Sequence, residues 1–457
     1  MGRACRRRHE RPAALPKRHA RRREGYIANH EGMILKAHSR LRALQRQLLP
    51  REAVDLLAVA PTSGAQPEPF TLHVDEERLE DLRRRLRSTS FPGQLSDLRT
   101  GWEYGTELGF LKKVVEYWAE TFDWRAAEAK LNGMGMFTMT VDGLRMHFVH
   151  RRSQYPGARP LIFNHGWPGS FFEAHKILDA LANGDADRAF HVVVPSLPGY
   201  GFSEAPRTRG FDTVAVADVH HKLMLALGYT HYYAQGGDWG AVVARNMAVR
   251  YPEHCRALHV NMPVAPPPKD FDYKSLTPLE KKRLAEAQEF AATEHGYQLI
   301  HKTKPQTVAY GLTDSPAGLA AWILEKFRTW SDCPPSGDLE AVYTLDELLT
   351  NVSIYWFSGC IASSCRLYYE SMPTMPGTTT STPQHIAKYC SVPVGVAFFP
   401  KDPFATKIRA WVEQTHNLRH WREFQQGGHF AAMEQPQALV EDIRHFFYTV
   451  VSTAAQP

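Results

Sequence analysis

The sequence predicts an α/β fold: a mostly parallel sheet, a helical lid inserted late in the chain, and a helical extension in front. Three observations carry this. Short apolar runs alternate with helical stretches between about residues 160 and 260, the pattern of strands buried on both faces. A glycine-framed pentad, Gly236-Gly237-Asp238-Trp239-Gly240, joins one apolar run to the alanine-rich stretch Ala241 to Arg250. The alternation then breaks over residues 265–388 and resumes after them.

Residues 1–66 read as a basic, disordered tail. Its first 50 residues hold 14 Lys/Arg against 3 acidic residues, and a helix is expected at most over Met33 to Leu49. Its arginine runs could instead address an organelle or touch an anionic membrane surface, readings that come second to the disordered tail. Residues 67–150 form the expected N-terminal domain. Leu79, Leu82 and Leu86 repeat at helical spacing, and Leu108, Leu111, Val115, Trp118 and Phe122 make a second stripe. Asp123 opens a third helix that Asn132-Gly133 stops. Asp142-Gly143, between Phe137–Val141 and Leu144–Val149, is a two-residue hairpin signal. These helices are expected to wrap on the sheet.

The first part of the core, 151–264, carries strands at Leu161–Phe163, His191–Val194, 231–234 and Ala257–Val260. Residues 265–388, rich in helix formers, Pro and aromatics, are the lid. The second part, 389–457, supplies strands at Val392–Phe399 and Trp421–Phe424 and a closing helix, Ala438 to Phe447.

Composition narrows the function classes. With 457 residues, 43% of them hydrophobic, the chain can bury a large core. The net charge of +6 comes from residues 1–50, which carry +11, while the residues after them carry a net −5, so nucleic-acid binding by the folded part has no support. Six cysteines are scattered without zinc-ligand spacing, and Cys360 and Cys365 read more simply as core thiols than as a pair. No metal site and no cofactor are expected. No window approaches the ~18 apolar residues of a membrane span, and no secretory signal is present. A cytoplasmic location is expected.

The chemistry centres on the pentad. An apolar run, Gly-X-Asp-X-Gly and a helix make the nucleophile elbow of an α/β-hydrolase, with Asp238 where a lipase has Ser. A side chain pushed out on so sharp a turn leaves no room for a Cβ at Gly236 or Gly240. The loop after the first core strand reads His165-Gly166-Trp167-Pro168-Gly169-Ser170. In this fold that loop and the residue after the nucleophile supply the oxyanion N–H groups, here Trp167 and Trp239. A late histidine framed by glycines, Gly427-Gly428-His429, is the candidate base. Asp402, just after the preceding strand, is its candidate orienting acid. A carboxylate nucleophile forms an alkyl ester, which suits attack on sp³ carbon, and water activated by His429 would cleave that ester.

These motifs resemble the microsomal-type epoxide hydrolases over roughly residues 68–450. The resemblance rests on the helical N-terminal domain with its Asp-Gly hairpin, HGWPGS, LPGYGFS at 197–203, GGDWG and GGHFAA at 427–432. Within the lid, Gly296-Tyr297 before Thr303-Lys304-Pro305, and Tyr355-Trp356 leading to Arg366-Leu367-Tyr368-Tyr369-Glu370, resemble the segments that carry that family's two proton-donating tyrosines. The resemblance implies Tyr297 and Tyr368 in that role, with Tyr369 one residue away from Tyr368. Mammalian members carry a membrane anchor where this chain has its basic tail, and a Glu where Asp402 stands.

The expected function is hydrolysis of epoxides to vicinal diols, with a small apolar epoxide as partner. A homodimer and membrane contact by the tail remain open. The resemblance further implies detoxification. The alternatives are a haloalkane dehalogenase, which shares Asp238 and His429 but gives no reason for the lid tyrosines, and a non-catalytic binding protein, which would be expected to lose one of the five residues. A serine esterase is disfavoured, since no Gly-X-Ser-X-Gly elbow occurs.

Overall fold

A computed structural model describes residues 66–98, 101–335, 338–372 and 388–454. The basic tail, its helix over Met33 to Leu49 and Cys5 lie outside these residues.

The N-terminal segment forms the helices its periodicity predicts, although Leu108 is only half-buried and Phe122, also half-buried, lies past the end of the second helix. Helix Glu76–Arg87 buries Leu79, Leu82 and Leu86, and helix Leu108–Glu120 buries Leu111, Val115 and Trp118. The Asp123 carboxylate accepts from the Ala126 N–H and caps helix Trp124–Asn132. These helices also reach the lid. Arg78 donates to the Phe357 carbonyl at 2.6 Å, Thr106 Oγ1 donates to the Ala321 carbonyl, and the Trp124 ring lies 4.6 Å from that of Phe357.

Among the described residues, nine strands form one sheet in the order β1-β2-β3-β5-β4-β6-β7-β8-β9. They are β1 Glu68–Pro69, β2 Met136–Val141, β3 Leu144–Arg151, β4 Arg159–Asn164, β5 Phe190–Pro195, β6 Tyr232–Gly236, β7 Cys255–Val260, β8 Cys390–Phe398 and β9 His416–Glu423. Positive φ at both Asp142 and Gly143 closes the β2–β3 hairpin, as its sequence predicts. Pairing is antiparallel from β1 to β5 and parallel from β5 through β9. Strand β9 starts earlier than the apolar run at Trp421 suggests. Its first residues, His416 to His420, are mostly polar and half-buried, so hydrophobicity does not announce them.

After β4 the chain turns to β5 on one side and then to β6 on the other, which opens a crevice at the carboxyl ends of β4 and β6. The elbow and the HGWPGS loop both emerge there. Between β7 and β8 the chain leaves the sheet, and the described residues there form six α-helices: Pro278–Glu294, Gly296–Thr303, Pro305–Asp314, Pro316–Trp330, Leu345–Ser358 and Ile361–Ser371. Thr277 with Glu280 and Thr344 with Glu347 form capping boxes at two of them, and Gly359 in the left-handed region ends the fifth. No helix among the described residues is long and apolar enough to cross a membrane.

Candidate active site

The elbow places Asp238 as its glycines predict. Strand β6 runs directly into helix Asp238–Arg250, and Asp238 itself adopts φ of 49°. That conformation is strained for a residue with a side chain, and such strain is concentrated at functional sites. A Cβ on Gly236 would strike the Gly240 carbonyl, and one on Gly240 would strike that of Asn164. A Cβ on Gly166 would overlap the Asp238 carboxylate itself. The carboxylate therefore lies against bare backbone, at the first turn of a helix whose dipole favours its charge.

One oxygen, Asp238 Oδ1, accepts the Trp167 N–H at 2.8 Å. The Trp239 N–H belongs to the first helical turn, where no helical carbonyl is available to it. The HGWPGS loop is held from both sides. Because the Leu197 N–H donates to His165 Nε2, the His165 Nδ1 carries the proton and donates to the Gly166 carbonyl at 3.0 Å. Burial pushes this histidine down to about 4, so it stays neutral. From the lid, Asn351 donates to the Pro168 carbonyl and the Tyr355 hydroxyl to that of Gly169, each at 2.8 Å.

His429 stands between two carboxylates. Its Nδ1 is 3.1 Å from Asp402 Oδ1, and its Nε2 is 3.4 Å from Asp238 Oδ2. Asp402 is fully buried, and its Oδ1 also accepts the Phe404 N–H at 2.9 Å. Burial works against charge on His429, but the Asp402 charge and the bonds to Asp238 and Asp402 outweigh it and hold the imidazole well above its ordinary value. The loop that carries it is clamped. The His429 N–H donates to the Trp330 carbonyl, and the Glu434 carboxylate accepts the N–H groups of Gly428 and Phe430 at 2.9 Å each.

The lid brings Tyr297 and Tyr368 over this group. Tyr297 stacks on Trp167 with centroids 5.2 Å apart, Tyr368 meets Trp239 edge-on at 4.8 Å, and the two phenol rings are 5.9 Å apart. Burial raises both hydroxyls well above their ordinary range, and the nearby Asp238 charge adds to it, so both remain protonated. Tyr369 points away and is 50% exposed, which separates it from its neighbour Tyr368. All seven residues singled out in the sequence thus converge on one place.

Two carboxyl groups there were not anticipated. Glu434 is pushed up to about 7 by burial, against three backbone N–H bonds and the charge of His429. Glu173 follows the HGWPGS loop, and its carboxyl folds back over Gly169. Their only sequence signal is position, close behind a glycine-framed loop. Among the described residues, no cluster of His, Cys, Asp and Glu has the form of a metal site.

A family model described as "Epoxide hydrolase N terminus" matches residues 67–174, and one for the alpha/beta hydrolase fold matches 159–436. A putative epoxide hydrolase of Stigmatella aurantiaca (strain DW4/3-1) is 42% identical over 385 residues, covering 83% of this chain and 84% of that protein. Epoxide hydrolase 1 of Sus scrofa is 38% identical over 410 residues, covering 83% and 88%. Among solved structures, the epoxide hydrolase of Aspergillus niger superposes with a TM-score of 0.75 at 34% identity, over 84% of this chain and 97% of that one. The juvenile hormone epoxide hydrolase of Bombyx mori gives 0.76 at 32%, over 83% and 93%. Likeness of this extent, running through both the N-terminal segment and the hydrolase core, makes the chain a member of the microsomal-type epoxide hydrolase family, with the hydrolysis of epoxides as its activity.

Proposed function

We propose that this activity runs in two steps through an ester on Asp238. The Asp238 Oδ2 attacks an epoxide carbon while Oδ1 stays bound to the Trp167 N–H. Tyr297 and Tyr368 give a proton to the ring oxygen as the C–O bond breaks. In the second step His429 takes a proton from water, and the water oxygen bonds to the Asp238 carboxyl carbon. The Trp167 and Trp239 N–H groups hold the charge that develops on Oδ1, a stabilisation worth roughly 10²–10³-fold per donor. The acyl–oxygen bond then breaks and the diol oxygen takes the proton from His429. The proton left on the restored carboxyl replaces the one the tyrosines gave.

Charge couples the two steps. The Asp238 carboxylate helps keep His429 protonated, and esterification removes that charge. The imidazole is thereby released to act as a base only once there is an ester to cleave.

The observation that carries this reading is the division of labour on one carboxylate: an oxyanion donor on Oδ1, the imidazole beside Oδ2, and two protonated phenols above. A halide leaving group would give the phenols no work. Trp167, Trp239, Trp330 and Phe404 pack around the tyrosines and His429, surroundings that favour an apolar epoxide. The test is diol formation from a small aryl epoxide by the wild-type protein and by freshly prepared Asp238→Asn. Diol from the first and none from the second is expected, and equal rates would overturn the assignment.

A further inference from the structure

The lid helix Pro316–Trp330 turns three residues spaced four apart, Trp322, Lys326 and Trp330, toward the helix that carries Tyr297. Trp322 Nε1 donates to His301 Nε2 at 3.1 Å, and His301 lies one turn beyond Tyr297 on helix Gly296–Thr303. The Trp330 ring is 5.3 Å from that of Tyr297. Midway along this stripe sits a charge. The Lys326 ammonium lies 4.7 Å from the centre of the Tyr297 ring, on which Trp167 also stacks at an interplanar angle of 8°.

Lys326 is only 6% exposed. A lysine so enclosed is rare, because its long stem normally carries the ammonium out to water. Its ion pair is with Glu325, the residue before it, whose carboxylate also accepts from Thr329 Oγ1 at 2.8 Å. That pair lowers the cost of burial but gives no reason for it, since an exposed lysine would need no partner. Among the described residues, the other rings set against Tyr297 carry no positive charge. Trp167, Trp330 and Tyr368 are neutral, and burial pushes His301 down to about 3, so its imidazole is neutral as well. Burial first, then the charges of Asp238 and Glu325, hold the Tyr297 hydroxyl well above its ordinary range, against a bond with Tyr368. Tyr297 thus has to give up a proton in surroundings that largely oppose a phenolate.

We propose that Lys326 is a positioning residue for Tyr297: its ammonium holds the phenol ring, and holds it more tightly as that ring gains negative charge, which speeds proton transfer to the epoxide oxygen. The proposal rests on the reading of Tyr297 as a proton donor. As the epoxide C–O bond breaks, its electron pair takes the Tyr297 proton. The O–H pair stays on the phenolic oxygen and spreads into the ring. A cation over a neutral phenol is attracted by the ring quadrupole alone. Over a ring that is becoming a phenolate it is attracted by a net charge, in a site where water screens little. The attraction is therefore stronger in the transition state than before it, which is the condition for acceleration. Cleavage of the Asp238 ester takes no proton from Tyr297, so that step should not feel Lys326.

The test follows each step separately in wild type, Lys326→Met, Tyr297→Phe and the double variant. Styrene oxide is mixed rapidly with excess enzyme, quenched in acid, and the fraction alkylated on Asp238 is read by mass spectrometry of the intact chain. Methionine keeps the unbranched stem and removes the charge. Lys326→Met is expected to alkylate on the order of tenfold more slowly and to lose the ester within about twofold of the wild-type rate. In the Tyr297→Phe background, where that proton is gone, the same substitution should change alkylation by less than about twofold. A residue that only packs the lid would slow both steps, or slow alkylation equally in both backgrounds. Either result would overturn the proposal, as would an unslowed Lys326→Met. Should Lys326→Met leave Glu325 unpaired and fail to fold, Glu325→Gln with Lys326→Met carries the test, read against Glu325→Gln alone. If Tyr297→Phe itself alkylates at the wild-type rate, the donor assignment fails and the proposal with it. A slow Tyr297→Phe beside an unslowed Lys326→Met removes the role of Lys326 and leaves the donor in place.

Discussion

The Asp402 carboxylate lies 3.1 Å from His429 Nδ1 and is fully buried beneath it, which leaves Nε2 as the ring nitrogen facing Asp238. In the proposed mechanism Asp402 sets both which nitrogen works and how basic it is. Asp402→Asn should lower kcat by about 10³-fold. It also removes the main influence that raises His429 against burial, so the imidazole becomes less basic. The acid limb of the kcat profile is therefore expected to move to lower pH, and a profile that keeps its wild-type limb would contradict the pairing.

The two phenols are expected to share the protonation of the leaving oxygen. Tyr297→Phe or Tyr368→Phe alone should cost roughly 10-fold to 10²-fold in kcat/KM, and the double variant more than either. Tyr369→Phe should leave the rate unchanged, since that side chain is half exposed and faces away. A loss in Tyr369→Phe larger than in Tyr368→Phe would reverse the assignment.

Gly240 can be tested without reference to catalysis. An alanine there would drive its Cβ into the backbone carbonyls of Asn164 and His165, neither of which can swing aside. A loss of about 3 kcal/mol is expected, seen as a lower Tm. Gly311, inside helix Pro305–Asp314 with open space around it, is the control. Gly311→Ala should stabilise by up to about 1 kcal/mol.

Behind the sheet, Asp442 accepts from His259 at 3.0 Å and from His420 at 2.9 Å, and it is fully buried. Burial opposes its charge, but the two histidine bonds prevail and hold the carboxyl well below its ordinary range. A depressed carboxyl stabilises the fold above its unfolded-state value and loses that contribution as pH falls toward its folded value. Asp442→Asn should cost about 2–3 kcal/mol near neutral pH. The gap to wild type should close as denaturation is measured at pH below about 4. A gap that persists in acid would point to packing instead.

The elbow, the oxyanion loop and the His429 loop are legible in sequence because each depends on one short string whose glycines have a steric cause. The hairpin at Asp142-Gly143 and the N-terminal helices are legible for a similar reason, since turn chemistry and leucine spacing are local. Tyr368 and Tyr369 are not distinguishable from composition, because both sit on one helix and only the packing of Trp239 against one of them separates the two. Glu173 and Glu434 escape notice because their carboxyls act by folding back onto loops, a geometry no spacing rule encodes. The start of β9 is hidden by its polar residues, and helix Arg409–Thr415 before it is too short to show a period. Local strings therefore announce the reacting groups, while the groups that hold them in place become visible only in three dimensions.

The most direct measurement is a single turnover in H₂¹⁸O with enzyme in excess over a small aryl epoxide. Covalent catalysis by Asp238 predicts that the diol takes its new oxygen from the carboxylate, so the diol stays unlabelled and the peptide containing Asp238 gains ¹⁸O. Label in the diol with none in that peptide would mean that water attacks the epoxide directly, and Asp238 would not be the nucleophile.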